Sequence, residues 1–500
     1  MHPHILLRNA TILVPSGEAN DSVVPLREHS LLIEDDKIAR IAPSISPHNG
    51  TKVIDCTDKI ISPGFIDTHH HLWQTQLKGR HANQTLLEYL PNGNMRSAHF
   101  TPEDIFWGEL AGCLEALDAG TTTVVDHAHM NISREHTSSG IEATIASGIR
   151  SVFCYAPTMR AKSWTPGLTV EGGMGDAWVS DFFEYLGQIC PLADGRVQLG
   201  LAFDGFMLPK EQVVSLYEQA RRIGAKVITS HYVRTVFSDD SLVDTLEAYG
   251  ILGPDVLLSH ASNLTSSDIE KLNQAKAWIS TTPDTELQMG HGNIVCFQDG
   301  CPGISSLGID CHSNNSADMV SQMRLALQHE RASRNDKMIA NGKNVRSLNL
   351  SVQDVFRLGT IQGARAIRME NEIGSIQVGK RADLVVFEGT SPGMLCASEQ
   401  DPVAAIVLHS SVRDIDIVIA NGRICKRDGK LVPVDINPSL PGVTIPHIRM
   451  GWGQVAREVL SSRRRIEDAI AEAHADDPER LVDDFMKLAH INPDRFVRLN

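Results

Sequence analysis

A chain of 500 residues with 42% hydrophobic content can fill one large core and a smaller one, and its formal net charge of −15 excludes a surface built to gather phosphates on clustered Lys and Arg. The short basic run "SSRRR" (461–465) does not offset that charge and reads as a solvent-facing part of a helix. Nine cysteines, scattered singly from Cys56 to Cys425 without CxxC spacing, read as reduced and mostly buried thiols.

The opening "MHPHILLRNATILVP" lacks a basic start followed by a long apolar run, and no stretch of eighteen consecutive apolar residues occurs. A soluble, cytoplasmic protein is the expectation. Short β-rich pieces then alternate with turn residues up to residue 62, as in a small antiparallel sheet. From Pro63 the pattern becomes apolar strands followed by amphipathic helices. "PGFIDTHHH", "TTTVVDHAHM", "SGIRSVFCYAP", "RVQLGLAFDG", "GAKVITSHY", "DVLLSHA", "AWISTTP" and "SSLGIDCHS" are eight strand candidates. Eight βα units in succession predict an α/β fold of the (β/α)8 TIM-barrel type, with its site at the C-terminal ends of the strands.

Helix starts are written locally in "TPED" (101–104), "TSSD" (265–268) and "SVQD" (351–354), each with a capping hydroxyl and an acid in the first turn. After Gly374, β character returns in "GSIQVGKRADLVVFEG" and "DIVIANGRICKRDGKLV", so a small β-sandwich assembled from both chain ends is expected. Helical spacing resumes from about residue 450. The expected division is 1–62 and 373–435 for the sandwich, 63–372 for the barrel and 436–500 for a helical tail.

Alternate side chains of a strand share a face, so His69 and His71 point to one spot and His70 the other way. The fifth strand ends in His231, the sixth in His260 and the eighth in Asp310. Imidazole nitrogens with a carboxylate suit one divalent metal, zinc ahead of iron, with a position left for water. Such a metal acidifies water, and Asp310 is the candidate to take the proton released.

These strand ends resemble the amidohydrolase superfamily, in the branch of guanine, cytosine and S-adenosylhomocysteine deaminases and triazine hydrolases. The resemblance runs from about residue 5 to 435 on "PGFIDTHHHLWQ", "AGTTTVVDH", "ITSH", "LLSHASNLTSSDIE", "SLGIDCHSNNSADM" and "GSIQVGKRADLVVF". It implies a mononuclear centre on His69, His71, His231 and Asp310, with His260 beside it orienting the water or the bond under attack. The fourth strand has no lysine, so the carbamylated bridge of two-metal relatives is not expected. Gln74 matches a substrate-contacting position of guanine-deaminase-like relatives.

The chain departs from the branch at strand five, where the usual His-x-Ala-Glu reads "HYVR" and Arg234 replaces the proton-shuttling glutamate. An arginine cannot do acid–base work at pH 7, though it can hold an anion through two parallel hydrogen bonds. Poor turnover of guanine, cytosine and adenosine is therefore expected. At strand seven "PDTELQMGHG" offers Glu286 and His291 as replacements: His291 is favoured as donor because histidine titrates near neutrality, and Glu286 as an orienting group or as the ion-pair partner of Arg234. Trp73, Gln74, Arg234 and His129 stand as candidate substrate contacts. For His127 and His129, two apart at the second strand's end, pocket lining and plain packing are both open, as they are for Trp73, Met289 and Met319.

The function expected is metal-dependent hydrolysis of a C–N bond, deamination first, in a small heterocyclic molecule. Amide, lactam or ring hydrolysis, or an elimination at the same metal, is the chemical rival; a non-catalytic binding scaffold is the rival of another class. The partners expected are a small-molecule substrate and neither nucleic acid nor membrane, with a homo-oligomer left open.

Overall fold

In the computed structural model residues 4–17, 21–234, 240–473 and 477–497 are described. All eight expected strands form, at Phe65–His70, Thr121–Ala128, Arg150–Tyr155, Val197–Ala202, Ile228–Val233, Val256–Ser262, Trp278–Thr281 and Ser305–Leu307. They pair in sequence order, every neighbour parallel. A bridge between His70 and Asp310 brings the eighth strand to the first and closes a TIM barrel. Gly308 is what lets this seam close: a Cβ there would lie 2.9 Å from both the backbone nitrogen and oxygen of His69.

Local chemistry positions the surrounding helices. Thr101, Thr265 and Ser351 each cap a helix, and Asp104, Asp268 and Asp354 respectively return a bond to the capping residue's backbone. Strands from both chain ends form one nine-stranded sheet, in which Lys59–Pro63 pairs antiparallel with Leu384–Glu388. The sheet carries its own apolar core, around Ile12, Ile33, Leu384 and Ile417. Arg150, at the start of the third barrel strand, ties barrel to sheet: it bonds Asp383 at 3.0 Å and Asn421 at 2.7 Å, out of solvent.

The C-terminal segment opens with a two-stranded ladder, Val434–Ile436 against Ile448–Met450, ahead of the helical spacing expected from about residue 450. Helices Trp452–Glu472 and Pro478–Leu488 follow. Of the "SSRRR" run, only Arg464 behaves as a solvated charge. Ser462 and Arg465 bond Asp104, and Arg463 donates to the Lys78 carbonyl at 3.0 Å, because the helix lies against the loop that leaves the first barrel strand. All nine cysteines are free and seven are buried. Among the described residues, no helix is long and apolar enough to cross a membrane.

Candidate metal centre

His69, His71, His231 and Asp310 converge at the C-terminal end of the barrel, their ligand atoms within 4.8 Å of one another. Asp310 Oδ1 lies 3.2 Å from His69 Nε2 and 3.1 Å from His71 Nε2, and His231 Nε2 lies 3.3 Å from His71 Nε2. In each ring the other nitrogen is already engaged. Ser259 Oγ faces His69 Nδ1, the His127 carbonyl faces His71 Nδ1 and Asp204 Oδ2 faces His231 Nδ1, each at 2.8 Å. Three Nε2 atoms and a carboxylate are thereby turned to one point, with their orientation fixed from behind, which is how a divalent metal is held. These residues fit the metal expected from the sequence.

Burial holds the His69 imidazole well below its ordinary pKa and lowers that of His71, which favours the neutral rings that a metal would need. Burial acts the same way on His231, but the Asp204 carboxylate outweighs it and raises the ring. Burial also works against the Asp310 carboxylate, yet hydrogen bonds with His69 and His71 hold it well below the usual range. His260 and Asp310 both adopt the left-handed backbone region, at φ 68° and 70°, a strain that recurs where strand ends aim functional side chains.

His260 stacks near His231, its Nδ1 2.8 Å from Thr282 Oγ1. Glu286 Oε1 accepts the Thr282 N–H at 2.8 Å and lies 3.9 Å from His260 Nδ1, while its buried Oε2 makes no hydrogen bond. Glu286 thus reaches the same threonine that steadies His260. The His291 ring stands perpendicular to His260 with centroids 4.7 Å apart, and neither of its nitrogens makes a hydrogen bond. Burial lowers His291 to about 4 and pushes the Glu286 carboxyl well up. Burial thus draws His291 away from the neutral range on which its choice as donor rested, and shifts the Glu286 carboxyl toward its protonated form.

Of the remaining candidates, Trp73 and His129 adjoin the cluster, and Arg234 and Gln74 are engaged by other partners. Arg234 pairs with Asp268, 3.4 Å away, and not with Glu286 as one expectation had it; Asp268 caps the helix beginning at Ser266, so the arginine is drawn toward that helix. The Gln74 amide is taken up by Tyr89, Asn94 and Ser313. Trp73 is fully buried, packs edge-on against Phe100 and donates to His129 Nδ1 at 3.1 Å. His129 in turn lies against the ring of the candidate ligand His71, centroids 4.0 Å apart. His127 faces Asp204 at 3.4 Å. Sequence reasoning missed Asp204; its one signal was a carboxylate closing the fourth strand motif "LGLAFDG", the position where barrel strands place polar groups.

A family model described as "Amidohydrolase family" matches residues 60–425. The chain belongs to the amidohydrolase family. It is a metal-dependent hydrolase of C–N bonds, and the scaffold reading is set aside. This amidohydrolase is 29% identical over 453 residues to a 5′-deoxyadenosine deaminase of Methanobrevibacter smithii, covering 86% of this chain and 94% of that one. It is 26% identical over 450 residues to a 5-methylthioadenosine/S-adenosylhomocysteine deaminase of Syntrophomonas wolfei, covering 86% and 95%. Its fold is that of an adenosine deaminase from Xanthomonas campestris solved with bound zinc, at TM-score 0.73 and 19% identity over 93% of this chain and 98% of that one. The same holds for the zinc complex of an atrazine chlorohydrolase from Arthrobacter aurescens, at TM-score 0.74 and 20% identity over 92% and 100%.

Proposed function

We propose that this amidohydrolase deaminates an adenine nucleoside altered at its 5′ carbon, with one zinc ion at His69, His71, His231 and Asp310. The observation that carries the reading is the convergence of three imidazole Nε2 atoms and one carboxylate beside a second group of buried titratable side chains, His260, Glu286 and His291. The names of the curated relatives point to the substrate class, and the zinc-bound solved relatives point to the metal.

A divalent metal bound there supplies Lewis acidity and lowers the pKa of water. Asp310, a carboxylate within reach of two of the ligand rings, receives the proton that water loses on attacking the amine-bearing carbon. His260, held through Nδ1 by the Thr282 hydroxyl, is left with Nε2 as a donor toward the charge that develops on the attacked ring. Glu286, whose carboxyl burial shifts toward the protonated form, gives a proton to the departing amine, while neutral His291 donates a hydrogen bond without changing charge. Arg234 takes no part in the proton transfer.

The test is release of ammonia by zinc-loaded protein from 5′-deoxyadenosine, 5′-methylthioadenosine, S-adenosylhomocysteine, adenosine, guanine and cytosine. A kcat/KM of about 10⁴ M⁻¹s⁻¹ or more is expected on a 5′-altered adenosine, with the free bases far behind. Fully loaded protein that deaminates none of the adenine nucleosides removes the proposal.

A further inference from the structure

His70, between the two ligands of the first strand, turns away from them into a buried chain of polar groups. Its Nδ1 lies 2.7 Å from Asp67 Oδ2 and its Nε2 lies 2.9 Å from His312 Nδ1. His312 Nε2 lies 2.9 Å from Thr75 Oγ1, which donates to the Gly108 carbonyl at 2.8 Å. Asp67, His70 and His312 are 0 to 1% exposed.

The direction of these bonds follows from the last one. Since the Thr75 hydroxyl gives its hydrogen to Gly108, it must accept from His312 Nε2–H. His312 Nδ1 then accepts from His70 Nε2–H, and a proton between His70 Nδ1 and Asp67 completes the chain, whichever of the two carries it.

Asp67 is also a clamp. Its Oδ1 accepts the backbone N–H of His69 at 3.1 Å and of Ile309 at 3.1 Å. One carboxylate therefore grips ligand residue His69 and the residue preceding ligand Asp310, across the seam where the barrel closes. The adjoining backbone bonds, Asp310 N–H to the His69 carbonyl at 2.8 Å and His71 N–H to the Asp310 carbonyl at 2.9 Å, fix the same offset. Space for the chain is built in. At Gly112, on the helix behind it, a Cβ would lie 3.1 Å from His312 Cε1 and 2.3 Å from the Leu72 carbonyl oxygen.

We propose that Asp67, His70, His312 and Thr75 form a brace whose task is to set the affinity and geometry of the metal centre; its members are positioning residues that touch neither metal nor substrate. A buried, fully hydrogen-bonded network alone would serve core stability. Two features go beyond that: the clamp acts on the backbone at the ligands themselves, and the far end of the network holds His312, two residues past Asp310. That ligand's left-handed backbone persists only if its surroundings over-determine it.

The inference does not depend on the substrate, and its test needs none. Zinc affinity is measured by chelator competition, and ligand geometry by the visible spectrum of the cobalt(II)-substituted protein, in His312→Ala, Thr75→Val and Thr75→Ser. Loss of an outer partner of a metal ligand costs roughly 10- to 100-fold in affinity. His312→Ala is expected in that range with altered cobalt bands, Thr75→Val to weaken zinc by a smaller factor, and Thr75→Ser to match the unchanged protein. Lowered thermal midpoints with unchanged zinc affinity and unchanged cobalt bands would reduce the network to core packing and overturn the proposal. If His312→Ala does not fold, the threonine pair decides: Thr75→Val with unaltered affinity also overturns it.

Discussion

Asp204 holds His231 at two points: Oδ1 accepts the backbone N–H at 2.8 Å and Oδ2 faces the ring Nδ1 at 2.8 Å. The carboxylate comes from the end of the fourth strand and the imidazole from the fifth, so neighbouring strand ends fix one ligand's ring. Replacing Asp204 by Ala frees that ring, and zinc affinity should fall about 10- to 100-fold in chelator competition while the fold, read by circular dichroism, is kept. Wild-type affinity in Asp204→Ala would show that the contact does not orient the ligand.

Removing a ligand should act more severely. His69→Ala and His231→Ala are expected to lose most bound metal and all turnover. Asp310→Asn should retain part of the metal yet lose turnover, because an amide cannot take the proton from water. Metal content by elemental analysis, set beside activity, checks both, and full occupancy in either histidine variant would break the ligand assignment.

The two candidate proton donors separate by rate and pH. Loss of a general acid costs ~10² to 10⁴ in rate, so Glu286→Gln should lower kcat by that order with metal retained. His291→Gln should keep the wild-type pH profile above pH 5, since the ring it removes titrates at about 4. A large loss confined to His291→Gln would return the donor role to the histidine.

Buried neutral histidines should make the metal-free protein sensitive to acid. Burial lowers His81 and His291 to about 4 and His127 to about 3, against 6.5 in an open chain. As pH falls below 6.5 the unfolded chain takes up protons that these folded rings refuse, so stability declines toward pH 4. Each such ring contributes a loss of about 1.4 kcal/mol per pH unit in that window. Urea unfolding of metal-free protein at pH 7 and pH 5 measures this; equal midpoints would contradict it.

Arg150 offers a test of the junction between barrel and sheet. Its ion pair with Asp383 is nearly sealed from water, with side chains 2% and 3% exposed. Arg150→Met leaves Asp383 buried without its cation, and a loss of about 3 to 5 kcal/mol in unfolding free energy is expected. A variant as stable as the unchanged protein would mean that water or Asn421 replaces the pairing.

The barrel strands and the convergence of the candidate metal ligands were legible because their signals are local. A period of two puts His69 and His71 on one face, and a turn after an apolar run marks each strand end at which His231, His260 or Asp310 sits. Which residue supports which ligand was a different matter. Asp204 reaches His231 across 27 residues, Ser259 reaches His69 across 190 and His312 reaches His70 across 242. Arg234 illustrates the same limit: its sequence position suggested Glu286 as a partner, but the helix cap at Asp268 lies nearer once the strands are curled into a barrel. The pKa of His291 depends likewise on burial by elements distant in the chain. Side-chain type and spacing determine the donor set, whereas closure of the barrel decides neighbours, burial and hence protonation, because these depend on distances the chain acquires only when its ends of strands meet.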